Sequence, residues 1–478
     1  VAKIIGRESE MEVLNRSLNS KEAELIAIYG RRRIGKTYLV RNYFADRIIF
    51  ELTGMNNGTL KDQLLLFTKA LQSATSTPLA MTPPASWVEA FSSLGKVLEN
   101  LSKKKKWVIF FDEFPWLNSR RSGFLEAFDH FWNTWASRQP NLVVVICGSA
   151  ASWMIENIIH AKGGLHNRIT RSIRLLPFTL PEAKNYLQSN SVDLDNYQVL
   201  QLYMSLGGVP YYLKNVERGE SAIQSINRIC FTQTGSLREE FDNLYRSLFE
   251  NADTHIKIVK ALSKTPKGLT RQEIIDQIGL SSGGGTSAIL NELEQSGFTQ
   301  SAIPYNRTSK DAIYRLTDEY SLFYLKFIDG KKITGDDMWH KISATSPYKI
   351  WCGMSFESVC LKHVHLIKKA LGISGIHSEE SPWRQSATKT NEGSQIDLLI
   401  DRADRTINIC EMKFYNGAFS IDKAYASELE RKLKVFGEQT KTKKSLFLTF
   451  ITTYGIKKNE HASRLVHIEL TMDLFFSK

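Results

Sequence analysis

The chain has 478 residues, too many for one ordinary domain and enough for roughly three. Hydrophobic residues make up 42% and charged residues 23%, a globular usage that excludes wholesale disorder. Lys and Arg number 62 against 50 Asp and Glu, and this net +12 favours acidic partners such as nucleic acid or nucleotide.

In chain order, Leu25 to Tyr29 is a short apolar run that ends at Gly30. Gly30-Arg31-Arg32-Arg33-Ile34-Gly35-Lys36-Thr37 fits the pattern G-x-x-x-x-G-K-[ST] at every position, and a helical stretch follows. The glycines let backbone N–H groups turn inward around phosphates, where a Cβ would obstruct the approach. Lys36 would neutralise the β- and γ-phosphates, and Thr37 would hold Mg²⁺ through its hydroxyl. Lys103 to Lys106 reads as a solvated turn before a second apolar run, Trp107 to Phe111, which leads into Asp112-Glu113. An acid at a buried strand's end can hold Mg²⁺ through water, and the next acid can orient the attacking water. Phe128, Phe131, Trp132 and Trp135 fit helix packing better than base stacking, because no basic residues are interleaved. A third run, Leu142 to Cys147, ends in Gly148-Ser149. Such runs separated by helical stretches predict a parallel sheet covered on both faces, over residues 1–176.

Residues 177–253 have helical periodicity and no strand run, and are interrupted by Gly207-Gly208 and Pro210. Residues 254–328 predict three helices and a hairpin, a winged helix-turn-helix, with Thr270 and Glu273 as a capping box. Its third helix, Thr286 to Ser296, carries Asn291, Glu292 and Glu294 but no Lys or Arg. That composition argues against sequence-specific DNA reading and for a structural or interdomain role. The hairpin offers Arg307, Lys310 and Arg315 as possible phosphate contacts. Residues 329–347 read as a polar linker.

Residues 348–478 predict a compact α/β domain with a leading helix and strands at Ile396 to Ile400, Thr406 to Met412 and Ser445 to Ile451. Glu411 and Lys413 lie two apart on one strand and so share a face, where Asp397 from a neighbouring strand could meet them. Two carboxylates and an ammonium at one spot can bind Mg²⁺, generate hydroxide and stabilise a pentacovalent phosphate.

Several of these motifs carry a resemblance. Gly6-Arg7-Glu8 with Glu10 and Leu14, just upstream of the phosphate loop, resembles the adenine-seating box of AAA+ and STAND-type ATPases. Ser149 resembles their sensor-1 position, which reads the γ-phosphate. His166-Asn167-Arg168 followed by Leu175-Leu176-Pro177-Phe178 resembles a G-R…L-x-P-F stretch, with Asn167 in place of the usual Gly. Gly207-Gly208-Val209-Pro210-Tyr211 resembles the G-G-x-P-x-Y box of the helical lid. The resemblance implies that Arg168 acts as an arginine finger, with Arg171 and Arg174 as competitors for the role. Asp397, Glu411 and Lys413 resemble the PD-(D/E)XK nuclease core, with Asp397 and Glu411 as metal ligands, Lys413 catalytic and Glu357 an auxiliary helical acid. As a whole the chain resembles bacterial and archaeal AAA-type ATPases that carry a winged helix and such a nuclease-like domain.

The expected activity is Mg-dependent binding and hydrolysis of ATP, coupled to binding or cutting of DNA. The alternative is a STAND-like nucleotide switch whose C-terminal domain recruits a partner without cutting. An arginine finger supplied in trans would require a homo-oligomer. No apolar run approaches the roughly 18–20 residues of a membrane span, so no membrane partner is expected. Nothing near the start resembles a signal peptide, and the five scattered cysteines suit a reducing compartment, so a cytoplasmic location is expected.

Overall fold

The computed structural model describes residues 3–75, 81–99, 105–160, 164–249, 251–280, 283–331, 337–385 and 393–477. The chain divides into two compact units.

The first unit comprises Val1–Pro177 with Leu248–Glu250 and Gln295–Gly297. Its sheet contains β1 (Glu24–Tyr29), β2 (Ile48–Thr53), β3 (Trp107–Asp112), β4 (Leu142–Gly148) and β5 (Arg171–Arg174) in the order β2-β3-β4-β1-β5. Every pairing is parallel. Alternation along each strand feeds two cores. Ile26, Ile28, Val108, Phe110, Val143 and Val145 pack with Leu39, Val40 and Phe44 of the helix Lys36–Phe44 on one face. Leu25, Ala27, Ile109, Phe111, Val144 and Ile146 face an aromatic layer that includes Trp87, Phe91, Phe128, Phe131 and Trp132. The Phe91 and Phe131 rings stack at 5.1 Å. Phe128, Phe131 and Trp132 are therefore core, with Trp135 packed against it, in line with the expected helix packing.

Two strands escaped the sequence reading, β2 and the four-residue β5, Arg-Ser-Ile-Arg, which has a single fully buried position. Lys106 is also a correction. It is buried, and its ammonium donates to the Glu22 carbonyl rather than sitting in a solvated turn. Lys103 and Lys104 lie outside the described residues.

The second unit comprises Phe178–Ser247, Asn251–Glu294 and Phe298–Lys478. From Phe178 onward the expected lid, winged helix, linker and C-terminal domain therefore compact together. Helices Leu180–Ser189, Asn196–Leu206, Ala222–Phe231 and Glu240–Arg246 come first. Here two separated sequence motifs meet. The Phe178 N–H donates to the Gly208 carbonyl at 2.6 Å, and the Tyr203 hydroxyl donates to the Phe178 carbonyl at 2.9 Å. A Cβ on Gly208 would lie 1.8 Å from the Phe178 carbonyl oxygen. Gly208→Ala is expected to cost more than about 3 kcal/mol, because backbone has to move. Denaturant unfolding with an unchanged midpoint would contradict that close approach.

Helices Ala252–Lys264, Arg271–Ile278 and Gly284–Gln295 follow, with an antiparallel sheet of β6 (Leu269–Thr270), β7 (Thr299–Ala302) and β8 (Ile313–Leu316) in the order β6-β8-β7. Thr270 and Glu273 form the expected capping box. On the third helix, Glu292 pairs with His255 at 2.6 Å, and Glu294 accepts from the Ser301 N–H and hydroxyl at 2.8 Å. Its acids are spent on internal contacts.

The expected linker over residues 329–347 is corrected. Met338–Ser343 is a helix whose Trp339 is fully buried. The Trp339 ring lies 5.2 Å from Phe231, 5.0 Å from Phe323, 5.2 Å from Phe327 and 5.2 Å from Tyr348. One aromatic side chain in a polar stretch thus anchors it. Residues 332–336 are outside the described set.

The last sheet contains β9 (Ser378–Gln385), β10 (Ser394–Arg402), β11 (Thr406–Lys413), β12 (Ser445–Thr452) and β13 (Ile468–Thr471) in the order β13-β12-β11-β10-β9. The β9-β10-β11 pairings are antiparallel, and β11-β12-β13 are parallel. The helix Lys423–Thr440 lays Ala426, Leu429 and Phe436 on the core of this sheet. No helix among the described residues is long and apolar enough to cross a membrane.

Candidate nucleotide site and C-terminal charged cluster

Parallel register brings three strand ends to one edge of the first sheet, where open α/β folds place ligands. Tyr29 pairs with Gly148 and Phe111 with Ile146, so the Gly30 loop, Ser149 and Asp112-Glu113 share that edge. Because β4 lies between β1 and β3, Ser149 falls between the loop lysine and the acid pair.

Gly30 has φ 146°, and a Cβ there would lie 2.2 Å from the Leu175 carbonyl oxygen, so only glycine fits. Gly35 has φ 92° and caps the helix Lys36–Phe44, and a Cβ on it would meet open space. Open space over a glycine at a helix N-terminus suits close approach by a phosphate. Arg33 has φ 70°, Arg31 is buried, and Arg32 lies 4.9 Å above the Trp116 ring. Gly6 and Arg7, with φ 65° and 67°, enter the helix Glu8–Asn19. The Arg7 guanidinium donates to the Ile34 carbonyl at 3.1 Å and pairs with Glu10 at 3.5 Å. The opening box is thereby tied to the phosphate loop.

The Lys36 ammonium donates to the Gly30 carbonyl at 2.8 Å, the Arg31 carbonyl at 2.9 Å and the Ser149 hydroxyl at 3.1 Å. Burial pulls its pKa down, opposed by the nearby Glu113 and Asp112 carboxylates. Thr37 donates to Asp112 at 2.8 Å. Burial pushes the Asp112 carboxyl up, and the Thr37 hydrogen bond pulls it back. Glu113 sits at φ 46°, a left-handed conformation costly for a non-glycine residue, and accepts from the Ser149 hydroxyl and, at 3.2 Å, from its N–H. Thr37 and Asp112 offer the hard oxygen donors that Mg²⁺ takes, so this site fits the ion. Arg168 is exposed, and among the described residues no side-chain contact links it to Lys36, Asp112 or Glu113.

The C-terminal residues also converge. Glu411 and Lys413 approach at 3.9 Å on β11. Glu357, on the helix Ser346–Lys362, is pushed up to about 8 by burial and by the Asp397 charge. Yet each strand acid is answered by a cation. Asp397 takes Arg315 at 3.4 Å and the Gln395 amide at 2.7 Å. Glu411 takes Lys432 and, at 3.0 Å, the Tyr425 hydroxyl. Among the described residues no group of three or more His, Cys, Asp or Glu side chains is placed to hold a metal ion. The expected metal set Glu357, Asp397 and Glu411 therefore does not fit a divalent ion as arranged. Tyr425 and Lys432 were missed in the sequence, and Arg315 was read there as a phosphate contact of the hairpin rather than as the partner of Asp397. Tyr425 and Lys432 are seven apart, a same-face helical spacing that could have flagged them. Arg315 gave no such signal.

Residues 4–216 match a family model described as an ATPase domain predominantly from Archaea. An uncharacterized protein of Methanocaldococcus jannaschii is 24% identical over 438 residues, covering 91% of this chain and 92% of that protein. An uncharacterized ATP-binding protein of the same organism is 39% identical over 49 residues, 10% of this chain and 83% of that one. Among solved structures, the chain is similar to a Walker-type ATPase of Pyrococcus abyssi, with 18% identity and a TM-score of 0.47 over 67% of this chain and 96% of that one. It is also similar to the ORC2 protein of Aeropyrum pernix in ADPNP–ADP complexes, with 15% identity and a TM-score of 0.42 over 76% and 96%. With the Gly30–Thr37 loop facing Asp112 and Glu113, the chain is an ATPase whose residues 4–216 form a domain of the family found predominantly in Archaea.

Proposed function

We propose that the chain hydrolyses ATP with Mg²⁺ and couples the nucleotide state to engagement of DNA by its C-terminal domain. The observation that carries this reading is the Ser149 hydroxyl shared by Lys36 and Glu113, which joins the phosphate-gripping cation to the water-activating acid. In this reading Gly30 to Gly35 cradle the phosphates with backbone N–H groups, and Lys36 exchanges its carbonyl partners for β- and γ-phosphate oxygens. A polyphosphate would also favour the ammonium that burial disfavours. Thr37 and Asp112 would hold Mg²⁺, which neutralises charge on the transferring phosphoryl group. Glu113 takes the proton of the attacking water, and Ser149 orients Glu113. Arg168 would act only if brought to the γ-phosphate, in cis or from a second copy.

ATP hydrolysis measured with and without single- and double-stranded DNA tests the coupling. At least about tenfold stimulation, roughly 1.4 kcal/mol, is expected. Slow, unstimulated turnover with tight ADP retention would favour the second reading, a nucleotide switch whose C-terminal domain recruits a partner without cutting. The ion pairs on Asp397 and Glu411 favour that reading, since a cutting centre needs both carboxylates released. Were the domain a nuclease, Mg-dependent nicking of supercoiled DNA should vanish in Glu411→Ala and Lys413→Ala and survive in Lys36→Ala. Nicking that persists in the first two would remove the cluster as its source.

A further inference from the structure

The cations on the C-terminal cluster differ in origin. Lys413 ends β11 and Lys432 lies on the helix Lys423–Thr440, both beside the acids they meet. Arg315 comes from β8, in the small antiparallel sheet, 82 residues away from Asp397 along the chain. Its stem runs past Gly268, where a Cβ would lie 2.8 Å from the Arg315 Cγ.

Other contacts hold that sheet to the C-terminal one without Arg315. The Tyr305 N–H donates to the Pro382 carbonyl at 2.8 Å, and its ring lies 5.6 Å from Phe436. The Arg384 guanidinium donates to the Lys267 carbonyl at 3.0 Å. The backbone thus delivers Arg315 to Asp397. The pair is largely shielded, with side-chain exposures of 13% and 27%. An ion pair in that setting is harder to displace than a solvated one.

We propose that Arg315 occupies the cation position at Asp397 and keeps the C-terminal cluster closed to divalent ions, so that the β6-β8-β7 sheet regulates that site. The proposal rests on reading Asp397, Glu411 and Lys413 as a phosphodiester site. Arg315 is then a blocking residue, and among the described residues its removal leaves Asp397 with the Gln395 amide as its hydrogen-bond partner. It also explains why the hairpin's other basic residues, Arg307 and Lys310, are exposed while Arg315 is not.

The test uses the full chain without nucleotide and Mn²⁺ alone as the probe, with free Mn²⁺ read by electron paramagnetic resonance. Arg315→Gln should bind Mn²⁺ at least tenfold more tightly than the wild type, and adding Asp397→Asn should remove the gain. Arg315→Lys, which keeps the charge, should stay near the wild type. Thermal melting of Arg315→Gln checks that the docked sheet persists. Wild-type Mn²⁺ binding that already depends on Asp397 and matches Arg315→Gln would overturn the proposal, as would unchanged affinity in a folded Arg315→Gln chain. Nicking of supercoiled DNA separates the two layers. A gain in Mn²⁺ affinity without nicking, even when Lys432→Gln is added to Arg315→Gln to release Glu411, keeps the block and removes the phosphodiester reading. Wild-type nicking that needs Glu411 but is indifferent to Arg315→Gln keeps that reading and removes the block.

Discussion

Lys36→Ala is expected to weaken MgATP binding by at least about a hundredfold, roughly 2.7 kcal/mol, in an equilibrium titration. Three donated hydrogen bonds hold the ammonium at the loop, two of them to backbone carbonyls of Gly30 and Arg31. Those carbonyls are neutral, so exchanging them for phosphate oxygens turns ordinary hydrogen bonds into charge-assisted ones. Alanine forfeits that exchange. It also removes a buried cation whose desolvation is unfavourable, which offsets part of the cost of leaving the Gly30 and Arg31 carbonyls without that donor, so the variant should remain folded in thermal melting. Loss of affinity in a folded chain is thus the signature. Unchanged affinity would remove Lys36 as the phosphate ligand and the nucleotide site with it.

Glu113→Gln should separate binding from chemistry. Glutamine keeps the side-chain shape; its one oxygen can accept from the Ser149 N–H while its amide N–H₂ donates to the Ser149 hydroxyl, so MgATP affinity should stay within about threefold of the wild type, roughly 0.6 kcal/mol. It cannot take a proton from water, and turnover should fall by about 10²–10⁴. Single-turnover hydrolysis at saturating ATP reads the chemical step directly. Wild-type turnover would disqualify Glu113 as the base. A matching loss of affinity would mean that the carboxylate acts through Lys36 instead.

The nucleotide site was legible because its parts announce themselves locally. A glycine-bracketed lysine follows one apolar run, and an acid pair follows another. Buried parallel strands such as β4 are apolar at nearly every position, and that continuity survives without tertiary information. β5 and β9 have the opposite character. Arg-Ser-Ile-Arg has one buried residue, and Ser-Glu-Glu-Ser-Pro-Trp-Arg-Gln reads as a loop because Pro382 cannot donate to a ladder. Both sit at sheet edges, where solvent tolerates such residues. The relation between Gly208 and Phe178 was visible only as two unexplained boxes, and their steric fit needs the fold. The C-terminal acids were found by spacing, but their neutralisers were not. Ion pairing across 82 residues leaves no periodic trace, so a candidate metal centre in the sequence becomes a closed charge network in the structure.

The indole of Trp339 bears on how the molecule can be taken apart. Severing the backbone within residues 340–345 would leave that ring on a fragment with Phe231, Phe323 and Phe327 but deprived of Tyr348 and Trp351. The other piece would present those two bare rings to water. Re-exposing aromatic area of this kind costs roughly 5 kcal/mol. The excised pieces should therefore aggregate singly and reassociate when mixed, behaving as complementing fragments.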